Sequence, residues 1–281
     1  MSDRPPLAAP LPRPVIDTHC HLDVVDQHLG DGPGPDDALD LARSVGVTRV
    51  VQVGCDVASS TWAADFADTH DDVVAAVALH PNDVPRIEER QGATGLQAAY
   101  DAIEVLAARA SVRAVGETGL DYYRTRDDGA RALQRDSFRW HIDLAKRLDR
   151  TLVIHDRDAH DDILAILDEE RAPARVVFHC FSGDADMARL CADRGWLCSF
   201  AGVVTYKSAE GLRDALRVLP REAMLVETDA PYLTPVPYRG KVNASYLIPH
   251  TVRTMADVRG EPVEQVCDDL WANSQRAFGP L

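Results

Sequence analysis

The chain has no apolar run approaching the roughly 20 residues that a membrane-spanning helix requires. Its first fourteen residues, MSDRPPLAAPLPRP, lack the charged-then-apolar layout of a secretory signal. Five prolines there mark residues 1–14 as a flexible leader ahead of a single domain over 15–281. The six cysteines form no CxxC pair, and several fall in apolar, strand-like runs where a free thiol behaves as a small hydrophobe. That usage points to a reduced, cytoplasmic protein. Basic residues are also scarce: 30 Lys and Arg face 45 Asp and Glu, a net charge of −15. Such a balance argues against a broad basic face that coats DNA, because phosphate binding relies on clustered cations. It does not argue against a nuclease, since divalent cations reverse the sign of a carboxylate-lined cleft. Any nucleic-acid contact is then expected to be small and metal-centred.

What the chain does have is core-forming material, with 46% hydrophobic and 27% charged residues over 281 positions. Short apolar runs bounded by turn residues alternate with segments of helical period, the pattern of βαβ units and a parallel sheet. The candidate strands are Val15–His19, Arg49–Gly54, Val73–Leu79, Val112–Gly116, Thr151–Ile154, Arg175–Phe178, Trp196–Phe200 and Met224–Val226. A helix is expected over Ala130–Leu148, where Leu133, Ser137, Trp140, Leu144 and Leu148 share a face, and another from about Pro262 to Phe278. The longest irregular piece, Ala230–His250, follows the last strand directly, and a loop of that length is usually functional. Eight strand-helix units make a single α/β domain of (β/α)8 TIM-barrel class.

Ligand-type residues recur at intervals that match such a barrel. His19 and His21 lie in IDTHCHLD, Glu117 in VGETGLDYY, His155 in VIHDRDA, His179 in FHCFSG and Asp229 in VETDAPYL. From His21 the steps are 96, 38, 24 and 50 residues. One strand-helix unit takes roughly 30 residues, so the steps read as three units, one, one and two. The ligands then follow strands 1, 4, 5, 6 and 8, on the rim where these barrels build active sites. His19 and His21 alternate with Thr18 and Cys20, so both histidines face one ion while their neighbours face away. Five of the ten histidines, His19, His21, His80, His155 and His179, end candidate strands. A carboxylate such as Glu117 can bridge two ions, the arrangement of two-metal hydrolysis. Asp229 is suited to accept a proton from attacking water, and Glu227, on the same face, to orient ligands. Arg157 shares strand parity with His155 and offers a two-pronged phosphate grip. His80 offers a donor, Arg239 and Lys241 offer mobile cations, and Tyr122, Tyr123 and Tyr232 offer rings for unpaired bases.

With these motifs quoted, and RGK with Asn243 following them, the chain resembles the TatD family of metal-dependent deoxyribonucleases from about Val15 to Phe278. The resemblance implies a TIM barrel that hydrolyses DNA phosphodiester bonds with two divalent ions, Mg2+, Mn2+ or Zn2+. It matches His19, His21, Glu117 and Asp229 to a first metal and Glu117, His155 and His179 to a second. Single-stranded DNA entering end-first, cut as by a 3'–5' exonuclease, is the expected substrate, and nothing calls for an obligate protein partner. Two departures bear on substrate loops rather than ligands: Ala78-Leu79 before His80-Pro81, and Ala244-Ser245 after Asn243. The competing reading is a hydrolase of a small amide, ester or phosphoester. Many such barrels bridge their metals with a carbamylated lysine, but Lys146, Lys207 and Lys241 are the only lysines and none ends strand 4. A structural-metal scaffold is disfavoured because closed zinc cages are rich in cysteine.

Overall fold

The computed structural model describes residues 4–24 and 34–279. Its strands are β1 (Val15–Cys20), β2 (Val47–Gly54), β3 (Val73–Val77), β4 (Val112–Asp121), β5 (Thr151–Arg157), β6 (Val176–Phe178), β7 (Leu197–Phe200) and β8 (Met224–Val226). They lie in one sheet in chain order, β1 to β8. Among the described residues the helices are α1 (Pro35–Ser44), α2 (Val57–Thr69), α3 (Asp83–Ala107), α4 (Asp128–Arg147), α5 (His160–Glu170), α6 (Ala185–Asp193), α7 (Glu210–Val218), α8 (Ile248–Arg259) and α9 (Val263–Phe278). This is the (β/α)8 TIM-barrel alternation. Near-continuous apolar strands such as VVAAV in β3, buried throughout, are what a sheet covered on both faces requires. Caps set where helices leave the rim: Asp56 accepts from Ser59 N in a capping box, and Asp127 accepts from Ala130 N. No helix of the described residues is long and apolar enough to cross a membrane.

By its contacts the chain divides into two compact units, Met1–Gln52 with Cys180–Leu281, and Val53–His179. In the first, β1 pairs with β2 and β7 with β8, all parallel. Thr18 Oγ1 donates to Val226 O at 2.8 Å, so β1 also lies beside β8, and α9 packs over both. Residues 4–14, the expected leader, carry contacts of their own. Ala8 and Leu11 are buried, Leu11 N donates to Val45 O, and Arg253 donates to Ala9 O and Pro10 O.

In the second unit β3, β4, β5 and β6 pair in order. Strand β4 runs five residues past its expected end, to Asp121, and β5 runs on to Arg157. Glu117 therefore lies within a strand rather than after one. Gly119 is there for close approach: a Cβ on it would meet His155 O at 2.1 Å, at a φ of +134°. The register then sets Gly119 opposite His155 and Asp121 opposite Arg157.

Candidate metal centre

In the first unit, β1 and the segment after β8 are tied by backbone hydrogen bonds at the ligand positions. Asp229 N donates to His19 O and His21 N to Ala230 O, both at 2.9 Å. That pairing places Asp229 Oδ1 at 3.5 Å from His21 Nε2 and 3.8 Å from His19 Nε2. The alternation works as expected: Thr18 and Cys20 turn away, towards Val226 O and Val51 O. Behind the histidines sits Asp17, fully buried, which accepts from Thr228 N, Thr228 Oγ1 and His19 N. Burial pushes its carboxyl up to about 7, against the opposing pull of these hydrogen bonds. Glu227 is also fully buried, and its Oε1 accepts from Cys180 N at 2.7 Å. Asn243 clamps the loop after β8, its Nδ2 donating to Thr228 O and Tyr232 O, so Ala244-Ser245 leaves that clamp in place.

In the second unit one carboxylate oxygen faces three imidazoles. Glu117 Oε1 lies 2.5 Å from His155 Nδ1, 2.8 Å from His179 Nε2 and 3.5 Å from His80 Nε2. The ligand atoms of His80, Glu117 and His155 all fall within 4.8 Å of one another. Burial by itself would raise the Glu117 carboxyl, but His179, His80 and His155 hold it well below the usual carboxylate range. Burial lowers His80, whereas for His155 the pull of Glu117 and Asp121 outweighs burial and raises it. Atoms bound to one ion at about 2.1 Å and at right angles stand about 3 Å apart, close to the His179 to Glu117 spacing. Imidazoles around a buried carboxylate therefore fit a divalent cation, the donor set suiting zinc, manganese, iron or magnesium.

Three residues given no part in the sequence reading belong to this unit's cluster. Asp121 Oδ2 lies 3.4 Å from His155 Nε2, Asn82 Nδ2 donates to that same Oδ2 at 2.8 Å, and Cys55 Sγ lies 3.9 Å from Glu117 Oε2. The signal for Asp121 was strand parity, since it lies two and four residues beyond Gly119 and Glu117, but it required knowing that β4 continues.

The expected substrate contacts divide. His80 is inside the cluster. Arg157 is exposed, its guanidinium 4.0 Å over the ring of Tyr123, and Arg239 lies 4.5 Å over Tyr206. Lys241 is exposed on the loop after β8. Tyr123 and Tyr232 are half-exposed, and Tyr232 meets His21 edge-on at 6.5 Å between ring centres. Tyr122 is engaged instead: Arg131 covers its ring, and its hydroxyl donates to Asp162 and accepts from Arg135. It packs over the rim rather than offering a stacking face.

Residues 16–279 match the family profile described as TatD related DNase. The chain belongs to the TatD family. Over 268 residues it is 43% identical to an uncharacterized metal-dependent hydrolase, TatD, of Mycobacterium tuberculosis, spanning 94% of this chain and 98% of that protein. It is 37% identical to the metal-dependent hydrolase YcfH of Escherichia coli K12, over 94% and 95% of the two chains. Among solved structures it resembles YJJV, a TatD homologue of E. coli K12, with a TM-score of 0.83, 26% identity and coverage of 95% and 98%. As a TatD family member the protein is a metal-dependent hydrolase.

Proposed function

We propose that this TatD family hydrolase cleaves phosphodiester bonds of DNA, acting on single strands as a 3'–5' exonuclease in a cytoplasmic setting. The observation that carries the reading is the buried Glu117 oxygen with three imidazole nitrogens within 3.5 Å. In this reading two divalent cations are held, one by His19, His21, Glu117 and Asp229, the other by Glu117, His155 and His179. When bound, the cations polarise the phosphoryl oxygens and make attacking water more acidic. The chain's own groups do the rest. Asp229, ordered by its backbone bond to His19, takes the proton from the water. His80 donates through Nε2 to a phosphoryl oxygen. Arg157, braced on Tyr123, grips a flanking phosphate, with Arg239 and Lys241 supplying further cations, and Tyr123 and Tyr232 offer faces to unpaired bases. Six free cysteines suit a reducing compartment.

The test is a panel of labelled single- and double-stranded DNA and RNA, a closed single-stranded circle and small ester substrates. Each is assayed with Mg2+, Mn2+ or Zn2+ restored after chelation. Release of mononucleotides from linear single-stranded DNA, with the circle resistant, is the expected result. Rapid cutting of the circle refutes end-first entry, and turnover of small esters alone assigns the centre to the competing class.

A further inference from the structure

The second unit carries a crevice of about 650 Å³ between α2 and α3, outside the metal centre. That volume falls within the roughly 300–1,000 Å³ of small-molecule sites. The space exists because α3 is broken: Gly92 has φ +67° and ψ −177°, a backbone that glycine alone adopts without strain, and the helix kinks there. Val57, Ala58, Ile87, Ala98, Ala99 and Ala102 give the crevice an apolar floor, mostly of single methyl groups. Gly95 lines it as well. A Cβ on Gly95 would meet Gln91 Cβ at 2.2 Å and Oε1 at 3.0 Å, so the missing side chain is what lets the Gln91 amide lie over this turn.

The crevice borders the rim beside the centre. His80 N donates to Cys55 O and Asp83 N to His80 O, both at 2.8 Å, which joins the two loops whose next residues, Asp56 and Asp83, form its wall. Cys55 and His80 themselves face Glu117. Both wall carboxylates are engaged. Asp56 Oδ1 caps α2 by accepting from Ser59 N at 2.7 Å, and Asp83 Oδ1 accepts from Arg86 at 2.9 Å, which neutralises that pair. Arg90 is different. It stands one helical turn beyond Arg86, exposed, and its side chain makes no hydrogen bond or ion pair among the described residues. The Gln91 side chain makes none either.

These groups suit a ligand with three parts. An apolar floor takes the face of a flat ring, an amide that both donates and accepts matches the polar edge of a base, and an uncommitted guanidinium grips a phosphate with two N–H groups. A simple anion would use only the guanidinium. We propose that the crevice binds a nucleotide, its phosphate on Arg90 and its base between the Gln91 amide and the alanine floor. In the nuclease reading it seats a nucleotide that flanks the scissile phosphate and so keeps the strand in step with the centre. That role rests on the nuclease reading, whereas occupancy by a nucleotide does not.

The test titrates the full chain, kept in chelator so that the metal centre takes no phosphate, and reads backbone amide NMR and calorimetry. The probes are 2'-deoxyadenosine 5'-monophosphate, 2'-deoxyadenosine and inorganic phosphate. The monophosphate is expected to move the amides of Gln91, Gly95 and Ala98, and to bind at least about tenfold more tightly than the nucleoside or phosphate alone. Arg90→Glu should weaken it by about 10- to 100-fold, the usual worth of a hydrogen bond to a charged group. Ala98→Trp, at an exposed helical position, should fill the crevice and remove binding. Phosphate or nucleoside binding as tightly as the monophosphate overturns the assignment, as does absence of monophosphate binding. So do shifts confined to other residues, or unchanged affinity in the two variants when circular dichroism shows them folded. Cleavage of DNA by a protein that binds no mononucleotide refutes the crevice and leaves the nuclease reading standing; mononucleotide binding by a protein that cuts no nucleic acid does the reverse.

Discussion

Replacing His141 with phenylalanine is expected to make stability less dependent on acid, by an amount the core dictates. His141, on α4, is fully buried, with Nδ1 donating to Ser137 O at 2.8 Å and Nε2 accepting the N–H of Leu79 at 3.1 Å. Its ring meets Trp140 and Tyr100 edge-on, contacts that a phenyl ring can keep. Both nitrogens are committed to the neutral form, and burial pulls the pKa from 6.5 down to about 4. The folded pKa lies below the unfolded one, so this stabilisation is complete above about 6.5 and is lost as pH falls towards 4. At about 1.4 kcal/mol per tenfold, the full loss is about 3 kcal/mol. His141→Phe costs about 1–3 kcal/mol at pH 7, because Leu79 N–H is left unpaired in the core. It has no proton to take up, however, so the gap between the two proteins should close or reverse by pH 4. Urea unfolding of both, with chelator present and at several pH values, measures that gap and cancels every other acid-sensitive group. A gap that stays constant from pH 7 to pH 4 would refute the reasoning. The point bears on function because Leu79 immediately precedes His80.

The other expectations concern the centre itself. Glu117→Ala should abolish turnover and impair cation uptake by calorimetry; a variant taking up two cations normally shows that Glu117 is no bridge. Asp229→Asn should keep the fold yet lose about 10²- to 10⁴-fold in hydrolysis. A loss under tenfold at saturating metal moves the base elsewhere, with Glu227 the next candidate. Arg157→Ala should raise KM for every DNA sequence alike, because a phosphate contact carries no base information. A sequence-dependent change would mean that Arg157 touches bases.

Much was legible in the chain because barrels punctuate themselves. All eight strands fall where apolar runs predicted them, and α4 and α9 lie within two residues of their expected bounds. The histidines and carboxylates proposed as ligands could be picked out because ligand chemistry uses few residue types, and these end apolar runs at barrel spacing. Less legible was what surrounds them. Gly116 and Gly119 looked like the end of a strand, because a glycine that admits a neighbouring backbone and one that turns the chain read the same in sequence. With β4 cut short, Asp121 appeared to be a loop residue. Cys55 was given no part in the site, although its thiol sits beside Glu117.

The sequence alone thus determined the order of elements and the TatD family, and it offered the histidines and carboxylates proposed to hold metal. Those depend on local periodicity and residue type. Only the tertiary structure decided that Tyr122 is consumed by Arg131, Arg135 and Asp162 while Tyr123 backs Arg157. Only it brought Asn82 to Asp121 across 39 positions and set the Asn82 backbone N–H against His80 Nδ1. A hydrogen bond depends on where two atoms stand to within a few tenths of an ångström, and that is settled by packing between distant segments, not by the residues on either side.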